Sequence, residues 1–171
     1  MLEVYPIGKA HYPPELDLGS VMTAIDAIEK LPDELAEALE GCGDLDHPIR
    51  EGVWSIRALA HHLADSHMNA YIRTKLALTE EAPAVKAYDE VAWSALADSR
   101  LPVEGAVSLL RLLHERWVEV LRSMGPAELN RTWVAPGTVD PRPAWRIPLS
   151  YAWHGEHHVA QIVQARAHFH L

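Results

Sequence analysis

Residues 54–80, W-S-I-R-A-L-A-H-H-L-A-D-S-H-M-N-A-Y-I-R-T-K-L-A-L-T-E, run for 27 positions without a proline or a glycine. Nothing inside this run breaks a helix, so it is the longest uninterrupted helix candidate in the chain. On a wheel at about 100° per residue, Ile56, Leu59, Ala60, Leu63 and Ala70 gather on one side. One face is therefore built for a core, and the chain must supply other helices to cover it.

Three further segments meet that need. Residues 18–41 place Val21, Ile25, Ile28, Leu35 and Leu39 broadly on one side, with Leu31-Pro32 predicting a kink or break and Gly41 and Gly43 ending the run. Residues 103–124 carry Val107, Leu110, His114, Trp117, Val118 and Leu121 at helical spacing, between Pro102 and the stop signal Gly125-Pro126. The fourth helix is expected from about Leu149 to His168. Between the third and fourth lies a segment holding Pro136, Pro141, Pro143 and Pro148, which reads as a long loop with at most a short hairpin around Pro136-Gly137. Residues 81–101 form a second long connection. Four helices of roughly 20 residues predict an all-α, single-domain four-helix bundle over residues 1–171, a fold that builds metal sites from side chains on facing helices.

The chain is acidic, with 15 Lys and Arg against 24 Asp and Glu and a formal charge of −9, and no basic cluster follows a phosphate backbone. Nucleic acid is excluded as an expected partner. No apolar stretch approaches the ~18 residues that cross a bilayer, and the N-terminal segment has no secretory or transit pattern. Cys42 is the only cysteine, so no internal disulfide and no Cys-based zinc site can form, which fits a reducing cytoplasmic location.

Eleven histidines stand out. With that number, about 0.7 His-x-x-x-His pairs arise by chance, so the one such pair, His154 and His158, proves little by spacing alone. Geometry adds more. The two lie within about 40° on the helix wheel, on a face shared with Tyr151, Gln161, Ile162 and Ala165, so both rings can address one ion. His157 points roughly 100° away and reads as a surface or interface histidine. Glu156 is one step off the position a zincin general base occupies, so a zincin protease is not indicated. On the second helix His67 falls inside the apolar arc and His62 at its edge, with His61 opposite; periodicity alone favours His67 as the buried one. Two ligands from one helix and a third from another leave a coordination position open, the catalytic rather than the structural pattern. Asp65 is the candidate acceptor behind a ligand imidazole.

The run R-E-G-V-W-S-I-R-A-L-A-H-H-L-A-D-S-H-M-N-A-Y-I-R-T-K-L-A-L-T-E at 50–80, Y-A-W-H-G-E-H-H-V-A-Q-I at 151–162, Y-P-I-G-K at 5–9 and L-L-H-E-R-W at 112–117 together resemble YfiT-type proteins of the DinB superfamily. The resemblance covers essentially the whole chain. It implies a homodimer of four-helix bundles with one divalent metal per subunit held by three histidines. The ligands map to His62, in H-H-L-A-D-S-H, and to His154 and His158; His67 becomes a residue behind the ligands or in the pocket.

A three-histidine site with open positions activates water near neutral pH, and the same ion deprotonates a bound thiol. The family is described as metal-dependent hydrolases, and close relatives are similar to S-transferases that use bacillithiol, a low-molecular-weight thiol. The expected function is activation of water or a thiol toward a small-molecule substrate, with a non-catalytic metal-binding stress-response or dimerisation bundle as the alternative. Three neutral imidazoles leave the full +2 charge on the ion, which suits an anionic nucleophile or a carboxylate-bearing thiol. Arg57, Arg73 and Asn69 on the second helix are candidates to receive such groups, and Tyr88 and Trp93 to wall the pocket. A haem or di-iron bundle needs more ligating carboxylates than the two histidine-bearing helices supply. Zinc is the expected ion and nickel a second occupant, since imidazole suits both.

Overall fold

The structure, a computed structural model, describes residues 2–50, 53–135 and 137–171. Pro136, at the expected hairpin tip, and Glu51 and Gly52, at the head of the 50–80 block, lie outside the described residues. In chain order the elements are α1 (Leu18–Leu39), α2 (Ile56–Thr79), the short α3 (Glu90–Ser94), α4 (Val103–Arg122), the one-turn α5 (Pro126–Leu129), β1 (Thr132–Val134), β2 (Pro141–Pro143) and α6 (Arg146–Phe169). The four long helices form a four-helix bundle. α1 packs on α4 and α6, and α2 packs on the same two, so the order around the bundle is α1, α4, α2, α6. The first two helices of the chain therefore face each other across the diagonal, which the long connection 40–55 allows.

The helix starts follow local chemistry. Asp17 caps α1 by accepting from the Gly19 and Ser20 amides, and Ser55 caps α2 through the Ala58 amide. Two prolines lie inside helices. α1 runs unbroken through Pro32, because Leu31, Pro32 and Leu35 are all buried and tertiary packing offsets a cost of about 3 kcal/mol for an interior proline. α6 begins at Arg146 and takes Pro148 into its first turn, where the missing N–H has no intrahelical acceptor to lose.

The second long connection and the hairpin are tied together. β1 and β2 pair antiparallel, Trp133 opposite Arg142, while the Val85 amide donates to the Val134 carbonyl and the Val134 amide to that of Pro83. This layer closes one end of the bundle.

The core is split in two. One apolar cluster gathers Ile25, Ile28, Ala70, Trp117, Leu121 and Ala152; the other gathers Leu31, Leu35, Leu59, Leu63, Leu110 and Ile162. Along each helix the two sets are separated by a short interval, and on α2, α4 and α6 that interval holds His67, His114 and His154. A layer of imidazoles thus crosses the bundle between two hydrophobic halves.

Candidate metal centre

His62 on α2 and His154 and His158 on α6 converge, each offering one ring nitrogen, with the three atoms within 4.8 Å of one another. The His62 and His154 Nε2 atoms are 3.2 Å apart, and so are those of His158 and His154. An ion such as zinc, held tetrahedrally at about 2.0–2.1 Å from each nitrogen, sets its ligand atoms roughly 3.3 Å apart. The spacing of the three nitrogens therefore fits one such ion.

Protonation supports the fit. Burial pushes His62 down to about 3, with His158 nearby adding to the effect. Burial takes His158 to about 4 although its bond to Gln161 pulls the other way. The partly buried His154 lies well below the usual imidazole value, first through burial and then through the neighbouring histidines. All three rings are neutral at pH 7, the form that gives a lone pair to a metal. His158 is oriented from behind: the Gln161 amide donates to the Val4 carbonyl, 3.1 Å, which turns its oxygen toward His158 Nδ1 at 2.9 Å. His158 Nδ1 then carries the proton and Nε2 is left for the ion.

Between the two α6 ligands stands Gly155, which faces α1. A Cβ there would run into Leu31 of α1, with Cδ1 at 2.8 Å and Cγ at 3.1 Å. Glycine at this point is what permits the close approach of α6 to α1.

A cleft of about 310 Å³ opens beside His154, lined among others by Arg73, Arg142, Arg146, Tyr151, Trp133 and Glu90. Arg73 Nη1 donates to the Tyr151 hydroxyl at 2.6 Å, and burial raises the Tyr151 pKa. Trp133 Nε1 and Arg146 Nε are buried without a hydrogen-bond partner among the described residues. Three guanidinium groups against one carboxylate make this a basic cleft in an acidic protein.

The other expected residues fall as follows. His67 is wholly buried, its Nε2 3.5 Å from His154 Nδ1. Asp65 makes no hydrogen bond to the ligand rings; it is half-buried, and burial and Asp98 raise its pKa. Its expected place is taken by Gln161 and His67. Asn69 donates to the Asp65 carbonyl. Arg57 pairs with Asp46 at 2.8 Å, away from the cleft. Tyr88 and Trp93 pack on each other, ring centroids 4.5 Å apart, and the aromatic walls come instead from Tyr12, Trp133, Tyr151 and Trp153. The Tyr88 hydroxyl is buried and lifted to about 12 by that burial. Of the two readings of His157, surface or interface, the structure overturns the first: it is 6% exposed, stacked on Trp153 and covered by Tyr5. The N-terminal segment lies along α6 there, with the Trp153 indole donating to the Gly8 carbonyl.

Sequence reasoning missed Arg142, Arg146 and Trp133. For the two arginines the signal was the stretch P-R-P-A-W-R at 141–146, which leads directly into the histidine-bearing helix; Trp133, in the strand before it, carried no such signal.

Comparison with known proteins bears on the fold and on metal dependence. Two relatives carrying the name "Putative metal-dependent hydrolase", from Bacillus mycoides (strain KBAB4) and Bacillus cereus (strain AH820), are each 44% identical over 164 residues, covering 95% of this chain and 94% of theirs. The solved structure of YfiT from Bacillus subtilis, described as "a probable metal-dependent hydrolase with an unusual four-helix bundle topology", superposes with a TM-score of 0.92 at 39% identity and 97% coverage of both chains. Residues 27–162 match the family model of the DinB superfamily, and with relatives this similar over nearly its whole length the chain belongs to that superfamily.

Proposed function

We propose that the protein is a metal-dependent enzyme in which His62, His154 and His158 hold one divalent ion, zinc or nickel, and in which the neighbouring cleft binds a small anionic substrate. The observation that carries this reading is the convergence of three neutral Nε2 atoms at the wall of a cleft rich in arginine. When bound, the ion supplies a nucleophile at neutral pH by lowering the pKa of water or of a thiol.

The chain's own groups do the rest. Arg73, Arg142 and Arg146 receive the anionic part of the substrate and fix its orientation. Arg73 also holds Tyr151, whose oxygen accepts from the guanidinium and whose own proton remains available to a substrate oxygen. Trp133 Nε1 and Arg146 Nε offer two further donors. The indole and phenol rings narrow the cleft and exclude water from the reacting end.

Hydrolysis is the reaction that the relatives' names support. Transfer to a low-molecular-weight thiol uses the same activation, and the basic cleft favours it by suiting a carboxylate-bearing thiol. Assays of the zinc-loaded protein against a panel of esters and amides, and against such a thiol with a general electrophile, separate the two by product mass. Turnover in neither assay favours a non-catalytic metal-binding bundle. The ligand set is tested by metal content: His158→Ala should lose the ion, and a folded variant that keeps one equivalent refutes the assignment.

A further inference from the structure

Behind His154 the imidazole layer continues as a chain. His154 Nδ1 faces His67 Nε2 at 3.5 Å, His67 Nδ1 faces His114 Nε2 at 2.9 Å, and His114 Nδ1 faces the Ile28 carbonyl of α1 at 2.5 Å. His67 and His114 are 0% and 1% exposed, and among the described residues no carboxylate hydrogen-bonds to either. Each ring therefore carries a single proton, and the chain has only one consistent direction.

A carbonyl accepts and never donates, so the proton between His114 and Ile28 sits on His114 Nδ1. His114 Nε2 is then a bare lone pair, and His67 Nδ1 must donate to it. His67 Nε2 is bare in turn, so His154 Nδ1 donates. His154 Nε2 is left without a proton, pointing at the nitrogens of His62 and His158.

The anchor of this chain has its own cause. In a regular helix the Ile28 carbonyl would accept from the amide four residues on, which is Pro32, and proline has no N–H to give. Its ring also crowds that carbonyl. The one interior proline of α1 thus frees the carbonyl that His114 takes, across the interface from α4.

We infer that His67 and His114 are positioning residues that fix the tautomer of His154, with the proline-freed Ile28 carbonyl as the fixed end of the chain. The inference rests on the three-histidine reading of the metal centre. It gives a function to two buried histidines and to Pro32, which the ligand set alone leaves without one.

Two measurements test it. In metal-free protein with ¹⁵N-labelled histidine, two-bond ¹H–¹⁵N correlation spectra at pH 7.5 should show His67, His114 and His154 all as Nδ1–H tautomers; His67 or His114 as the Nε2–H form overturns the chain. Zinc affinity, measured by competition with a chromophoric chelator, should fall about tenfold or more in His114→Leu, the range found when a partner behind a metal ligand is removed. His114→Gln, whose amide offers one acceptor and one donor, should stay within about threefold of wild type. A folded His114→Leu that binds zinc like wild type, or a Gln variant as weak as the Leu variant, overturns the inference. If His114→Leu does not fold, the wild-type spectra decide. A wild type that shows the three tautomers yet binds no zinc overturns the ligand assignment instead.

Discussion

Gly155→Ala is the substitution for which helix propensity and packing give opposite answers. Glycine in a helix interior costs about 1 kcal/mol relative to alanine, so α6 alone would gain from the change. The new Cβ, however, lands in the Leu31 side chain, 2.8 Å from Cδ1 and 3.1 Å from Cγ. Leu31 is 1% exposed, so it can give way only against the other side chains of the core. Overpacking of this kind costs about 1–3 kcal/mol, so the net effect is a loss on the order of 1 kcal/mol. In a chain of this length that lowers Tm by roughly 2–4 °C. The double variant with Leu31→Ala carries the decisive readout. Leu31→Ala alone should cost about 2–5 kcal/mol, and when it is combined with Gly155→Ala the added methyl group fills part of the hole. The two changes should therefore fall short of additivity by about 1 kcal/mol in urea unfolding. Gly155→Ala more stable than wild type, or strictly additive with Leu31→Ala, refutes the claim that this glycine sets the α1–α6 distance.

Two further outcomes follow from the charge and protonation of the site. In metal-free protein His62 lies at about 3 and His114 and His158 at about 4, all below the unfolded value near 6.5, so the unfolded chain takes up protons first as pH falls. The contribution of these rings is complete above pH 7 and is lost as pH falls from about 6.5 toward 4, and toward 3 for His62, each ring contributing at most on the order of 3–5 kcal/mol and the neighbours not additively; a Tm that is flat from pH 7.5 to 5 in EDTA contradicts this. Arg73→Gln removes a charged donor from the cleft and should lower kcat/KM for an anionic substrate about tenfold or more while leaving a neutral analogue and the metal content nearly unchanged. Equal losses for both substrates would show that Arg73 acts only through Tyr151.

The long helices were legible because each carries a local signal: a proline-free and glycine-free run in α2, Gly125-Pro126 after α4, an apolar stripe in each. What the sequence could not show is set by contacts distant in the chain. His62 and His67 are both buried on α2, and only the position of α6 makes Nε2 of one meet His154 while the other sits behind it. His157 read as a surface ring because a wheel has one inward face, whereas the N-terminal segment gives α6 a second covered face. Asp65 was the expected acceptor because a ligand imidazole usually donates its other N–H, yet the partners of His158 and His154 come from a glutamine one turn on and from a histidine on another helix. Pro32 is the most instructive case. Read locally it breaks α1; in the bundle it leaves one carbonyl free where α4 presents an imidazole.

The three nitrogens come from two helices that are neighbours in space and far apart in the chain: His62 and His154 are 92 residues apart, brought together by the packing of α2 on α6. An unfolded chain has no such site, so ion binding and bundle formation are linked. Zinc at about 100 times its Kd should raise stability by about 2.7 kcal/mol, a rise of roughly 5–11 °C in Tm for a chain of this length. His62→Ala leaves a pair on one helix, which coordinates without joining α6 to α2. Its binding should be far weaker, so the Tm rise at the same zinc concentration should largely vanish. A full rise in that variant would mean that the ion is held by α6 alone and that the convergence of His62 on it does not contribute to binding.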